Sequence, residues 1–291
     1  MKTSSEIDPP PSRIRDKLGA RLFFGIVLAL GVLAAIFAGR PYLEIVAAVS
    51  VGLGAREWYR LIKGSAVSLL LALTATTLAL AAFAVFGRAA APLGPFAMPA
   101  AAGLLAAGAL AVAVSEAVTR GRPLWGAFGV LYLGAPALAL VALRDIDPNG
   151  DGDWLIVSLF LVVWAADTGA YVFGKLIGGP KLAPELSPNK TWAGFFGGIL
   201  AAAVTEGVFT FLIGGAVGAA MGFGAGLSLV AHGGDLFESA VKRHFHIKDS
   251  GGLIPGHGGV LDRIDSTLAA ALALAILVFM FHFDPLFGAS S

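Results

Sequence analysis

Apolar residues fill this chain in long blocks, and the polar residues between them come in short clusters. Nine apolar segments stand out, at about 22–39, 42–55, 66–86, 96–114, 125–142, 154–174, 192–214, 217–237 and 266–283. Most approach the ~20 residues that a helix needs to cross a bilayer. The second is short and carries Glu44. Ala, Gly and Ser crowd the segments, which favours close helix packing in lipid. Breaks such as Ala91-Pro-Leu-Gly-Pro separate helices rather than soluble domains, and no internal repeat is visible. The pattern predicts an all-α integral membrane protein, a polytopic bundle of about nine transmembrane helices. Its expected parts are a polar tail over 1–21, N-terminal transmembrane helices over 22–142, and a C-terminal transmembrane region over 154–283. The last carries two polar loops, 175–191 and 238–265.

Composition agrees with that pattern. Hydrophobic residues make up 57% and charged residues 13%, against roughly 25% charged in a soluble domain, and the mean hydropathy is +0.82. The absence of cysteine excludes disulfides, thiolate catalysis and Cys-ligated metals. The polar start, Met1 to Lys17, is too long for the short basic region of a signal peptide, so Leu22–Gly39 is read as a retained span.

Net charge is only +1, but its distribution is informative. With the N-terminus inside and nine alternating crossings, every Lys and Arg except Arg40, Arg88 and Arg144 falls on the inner side. Arg144 itself stands beside Asp145, Asp147, Asp151 and Asp153. One miscounted crossing upstream would scramble this partition. The rule therefore places the C-terminus outside and both polar loops in the cytoplasm.

The densest polar run lies over 239–265. It holds Lys242, Arg243, Lys248 and Arg263, the carboxylates Asp249, Asp262 and Asp265, and His244, His246 and His257. Asp262 and Asp265, spaced i, i+3, share a face on the helix entering the last span. Asp235 lies near the end of the eighth segment and Asp167 interrupts the sixth. Ionisable groups at membrane depth are costly and usually face a functional cavity. Hard oxygen donors of this kind favour Mg²⁺, with substrate phosphates as further ligands. The alternative is that Asp235 and Asp262 pair with Lys242 or Arg263 to orient helices, and that the cations are inner-side anchors. His257-Gly258-Gly259 can offer a ring nitrogen and backbone N–H groups to a phosphate. The i, i+2 spacing of His244 and His246 points them apart on a helix, which argues against a zinc pair. In the other loop, Lys175, Lys181, Lys190, Ser187 and Thr191 precede the seventh helix, whose N-terminus favours anions. The spacing of a Walker loop is absent.

Together these residues resemble the phosphatidate cytidylyltransferase (CDP-diacylglycerol synthase) family. Its C-terminal signature runs Ser-x-apolar-Lys-Arg, four residues, Lys-Asp, a turn of small residues, then His-Gly-Gly-apolar-x-Asp-Arg-apolar-Asp. Every fixed position is met from Ser239 to Asp265. Asp167-Thr-Gly-Ala-Tyr and the Lys181-to-Trp192 stretch are similar to the family's upstream motifs, so the resemblance covers about 160–266. Two positions depart: Ala193 stands where the family commonly has Glu, and His232 where it often has Gln.

The resemblance implies transfer of CMP from CTP to phosphatidic acid, giving CDP-diacylglycerol and pyrophosphate for phospholipid biosynthesis. It implies Mg²⁺ held by Asp235 and Asp262, with K⁺ as a candidate second cation. Lys242, Arg243, Lys248, Asp249, His257, Arg263 and Asp265 would then be catalytic. Asp167, Lys181, Ser187, Lys190, Thr191, Gly258 and Gly259 would bind substrate. The expected setting is a bacterial-type inner membrane, with surrounding lipid and a homodimer as partners and no nucleic acid. The lipid phosphate is already anionic, so no strong general base is required, in keeping with the lack of a Ser-His-Asp arrangement. A secondary transporter is the rival reading, resting on Asp167, Glu206, Asp235 and glycine-broken helices. Polar groups concentrated on one side, and no inverted repeat, speak against it. The motif of CDP-alcohol phosphotransferases is absent.

Overall fold

The structure is a computed structural model that describes residues 25–86, 94–146, 151–248, 250–251, 258–283 and 285–286. The expected tail over 1–21, and the site candidates Asp249 and His257, lie outside the described residues.

Nine helices occupy the described residues: α1 (Gly25–Phe37), α2 (Tyr42–Leu61), α3 (Ala66–Phe86), α4 (Gly94–Val118), α5 (Pro123–Arg144), α6 (Asp151–Ile177), α7 (Trp192–Leu212), α8 (Val217–His244) and α9 (Leu261–Phe281). The architecture is helical, as the apolar pattern predicts. One addition is a small antiparallel hairpin, β1 (Lys181–Ala183) and β2 (Ser187–Thr191), within the expected loop 175–191. Six helices, α3 to α7 and α9, are long and apolar enough to cross a membrane. Of the other three, α1 is apolar but shorter, α2 carries Glu44, Arg56, Glu57 and Arg60, and α8 runs past its apolar stretch through Glu238, Lys242 and Arg243.

Two apolar cores join at α5 and α9. One gathers α2 to α5 around Trp58, Leu105, Val130 and Leu133, closed by Leu261 and Leu268. The other gathers α6 to α9 around Ile156, Leu159, Phe223 and Leu274, with Leu140 and Leu143 from α5. Outward positions are equally apolar: Leu70 is 65% exposed, Phe211 71% and Met280 72%. A chain that buries apolar residues inside and displays them outside suits a lipid surround.

The helices run alternately between two ends. At one end, the Arg144 guanidinium donates to the Ile36 carbonyl at 2.9 Å and to Asp153 at 3.0 Å. Arg40 pairs there with Glu44 and Asp145 and donates to the carbonyl of Ala84. At the other end, Trp58 Nε1 and Tyr59 Oη, near the end of α2, donate to the carbonyls of Trp125 and Gly126 at the start of α5. The His244 ring packs at a tilt against Trp125, with centroids 5.3 Å apart, and Arg243 Nε donates to the Leu186 carbonyl in the hairpin turn at 3.2 Å. The polar segments that the charge pattern groups together therefore meet at one end of the bundle.

Close helix contact sets up the site. A Cβ added to Gly169 of α6 would lie 2.5 Å from the Ala201 Cβ of α7, nearer than real side chains approach. Glycine at that point lets the two backbones meet, as small residues do in membrane helices.

Candidate active site

A cavity of about 560 Å³ opens where α6, the hairpin, α7 and α8 converge. On α6, Asp167, Tyr171 and Lys175 follow at four-residue steps and line one wall, a face set by helical periodicity. Lys190, on β2, reaches across to form an ion pair with Asp235 of α8. His232, one turn before Asp235, packs its ring 5.3 Å from that of Phe195 and also lines the cavity. Thr191 takes a structural part as well: its Oγ1 caps α7 by accepting the Gly194 N–H at 3.1 Å. Thr191 also lines the cavity, and accepting that bond does not use its O–H donor.

A second group lies next to this cavity. On α8, Asp235, Glu238 and Lys242 share one face at i, i+3 and i+7. Lys242 Nζ donates to Asp262 Oδ1 at 2.7 Å and also pairs with Glu238. Both lie beyond the apolar stretch of α8. Burial pushes the Glu238 carboxyl up to about 8 against the pull of Lys242. Burial alone would lower the Lys242 ammonium, but its hydrogen bonds to Asp262 and Glu238 outweigh that and raise it. One ammonium thus faces two carboxylates, of which Glu238, 1% exposed, is the more deeply buried.

The start of α9 completes the arrangement. Asp262 Oδ2 accepts the Gly259 N–H at 2.8 Å, and Gly258 holds φ +84°, a conformation that favours glycine. That N–H is therefore already satisfied. Asp265 is buried, with Oδ1 accepting its neighbour's N–H from Ser266 at 2.7 Å. Asp235 lies within repulsive range of both Asp167 and Asp265, so it is the member shared by the cavity and the α9 group.

The remaining candidates are spread more widely. Lys181, Lys248 and Arg263 are exposed and Ser187 is half-buried, and none of the four lines the cavity. Arg243 fastens two segments, since it donates to the carbonyls of Leu186 and Ile247. Sequence reasoning passed over Tyr132, Glu57 and Glu238. Tyr132 is near Asp265, Glu238 and Asp235. Glu57 binds the α9 start from α2. The i, i+4 pairing of Glu238 with Lys242 was readable in the sequence. Contacts across 200 residues were not.

Asp235 and Asp262 are hard oxygen donors, and each faces a lysine. Among the described residues, no group of three or more His, Asp or Glu side chains is gathered for a metal. This donor set fits Mg²⁺ in its usual protein mode, one or two carboxylates with substrate phosphates and water as the other ligands.

Fold and site together define a polytopic helical protein with a mixed lysine–carboxylate centre at one end of its bundle. The chain belongs to the cytidylyltransferase family, whose profile matches residues 19–281. It is 52% identical over 155 residues to a phosphatidate cytidylyltransferase of Brucella melitensis, a match covering 52% of this chain and 55% of that protein. The phosphatidate cytidylyltransferase of Staphylococcus haemolyticus is 42% identical over 151 residues, covering 51% of this chain and 56% of the relative. For that of Staphylococcus aureus the identity is 43% over 134 residues, 45% and 52% of the two chains. The chain thus spans about half the length of the relatives it matches.

Proposed function

We propose that the protein transfers CMP from CTP to phosphatidic acid, yielding CDP-diacylglycerol and pyrophosphate. The observation that carries this reading is the convergence of Asp167, Asp235 and Lys190 with Lys242 and Asp262 at one end of an apolar bundle, in a chain of this family. Its relatives named phosphatidate cytidylyltransferase point to the same substrates.

In the reaction, an oxygen of the lipid phosphate attacks the α-phosphorus of CTP. A new P–O bond forms, the bond from the α-phosphorus to the bridging oxygen breaks, and pyrophosphate leaves with those electrons. The nucleophile is already anionic, so positioning and charge neutralisation supply the catalysis. Lys190 and Lys242 would meet phosphate oxygens, and Lys175 at the cavity wall would steer the triphosphate inward. Asp235 and Asp262 would hold Mg²⁺, which supplies positive charge against the phosphates when bound. Asp167, facing the cavity, would orient substrate.

Nine crossings with the N-terminus inside would turn this end of the bundle to the cytoplasm of a bacterial-type inner membrane. A soluble nucleotide would there meet a lipid whose acyl tails stay in the bilayer. The test is incubation of the detergent-purified protein with labelled CTP, phosphatidic acid and Mg²⁺. Labelled CDP-diacylglycerol is expected; none above background from a folded preparation would sink the proposal.

A further inference from the structure

We propose that Glu57 is a positioning residue of the active site: from α2 it holds residues 259–261, and through them the Asp262 carboxylate, in place. The inference rests on the functional reading above. Glu57 is 3% exposed. Its Oε1 accepts the Val260 N–H at 3.0 Å, and its Oε2 accepts the Leu261 N–H at 2.8 Å and the Ser250 hydroxyl at 3.3 Å. These groups are about 200 residues away in the chain and frame the signature loop on both sides.

The local chemistry of α9 makes this contact necessary. A helix start exposes N–H groups that need acceptors, usually from the N-cap side chain. Val260 occupies that position and makes no side-chain cap. Glu57 supplies the missing acceptor from another helix, and its negative charge suits the positive end of the helix dipole. Asp262 takes the adjacent Gly259 N–H. Three successive N–H groups are thereby divided between the site carboxylate and Glu57, so a shift of one moves the other.

Two signature glycines fit the same account. A Cβ on Gly251 would lie 2.4 Å from Glu57 Oε1, and one on Gly259 would lie 2.5 Å from Oε2 and 2.1 Å from Ser250 Oγ. The carboxylate cannot easily retreat. The next two residues, Trp58 and Tyr59, are pinned to α5 by hydrogen bonds at 3.0 and 2.7 Å. Consecutive side chains of α2 thus tie that helix to both α5 and α9.

The experiment compares the wild-type full chain with Glu57→Gln and Glu57→Ala. Gln keeps the shape but turns an amide toward a backbone donor. Turnover is expected to fall about 10–100-fold, with the Mg²⁺ concentration for half-maximal rate rising by a similar factor. The KM for CTP should stay within about twofold. Hydrogen exchange of the peptide containing Val260 and Leu261 should quicken about tenfold. A cycle gives a readout free of activity. Gly251→Ala should lower Tm in the wild type and have little effect in Glu57→Ala, where the clash is gone.

Exchange unchanged in Glu57→Gln, or an equal cost of Gly251→Ala in both backgrounds, would overturn the clamp. Loss of rate with unchanged Mg²⁺ dependence would overturn its link to Asp262. A wild type that transfers no CMP would instead strike the functional reading, while exchange and the cycle still decide the clamp.

Discussion

At Asp262, one carboxylate oxygen takes the Lys242 ammonium at 2.7 Å and the other the Gly259 N–H at 2.8 Å. An asparagine there keeps an oxygen for the Gly259 N–H, and Glu238 remains to pair with Lys242. Asp262→Asn therefore removes charge while keeping most of the local geometry. Turnover is expected to fall about 10²-fold or more, with Tm changed by only a few degrees. Radiolabelled CMP transfer and thermal unfolding in detergent check the two halves; substantial residual turnover would remove the proposed metal role. Asp262, Asp235 and Lys190 were legible because polar groups in an oily chain stand out against their surroundings. Glu57 was not, because its meaning lies in a contact with residues 250, 260 and 261. Nor could spacing show that Thr191 Oγ1 caps α7.

Among the elements, apolar runs announced the helices, since a bilayer-length run has few other uses. Their ends were harder to read. The α8 helix continues to His244, because Glu238 and Lys242 sit on one face and satisfy each other. The β1–β2 hairpin escaped notice: its Pro184 and Pro188 and its mixed polarity give no period-two alternation. Packing between α6, α7 and α8 offers a direct test. A Cβ on Gly198 would lie 2.6 Å from His232 Nε2 and 2.7 Å from the Ala166 carbonyl, whereas one on Gly222 meets nothing within 4 Å. Gly198→Ala should therefore cost about 1–3 kcal/mol through overpacking. Gly222→Ala should be neutral or slightly stabilising, as expected for alanine in an open helical position. Thermal unfolding of both variants measures the contrast, and equal effects would refute the close-contact account.

For the whole molecule, the decisive question is which end of the bundle faces which side. The structure brings the ends of α2, α4, α6 and α8 together with the hairpin, and sets the Arg40–Arg144 cluster at the opposite end. These contacts put the two termini of each helix they involve at opposite ends of the bundle, as alternating helices require. This arrangement agrees with the partition of Lys and Arg, although the two arguments use different information: one side-chain contacts, the other loop charge. Because the chain has no cysteine, single-cysteine variants carry no background thiol. Glu185 lies exposed in the hairpin turn and Ile146, 39% exposed, lies just beyond α5. In intact cells, a membrane-impermeant maleimide should label Ile146→Cys and leave Glu185→Cys unlabelled until the membrane is opened. Labelling of both in intact cells would break the alternation between these two points, and the reverse pattern would invert the proposed orientation. Either result would also separate the site from cytoplasmic CTP, so the topology and the proposed chemistry stand on the same measurement.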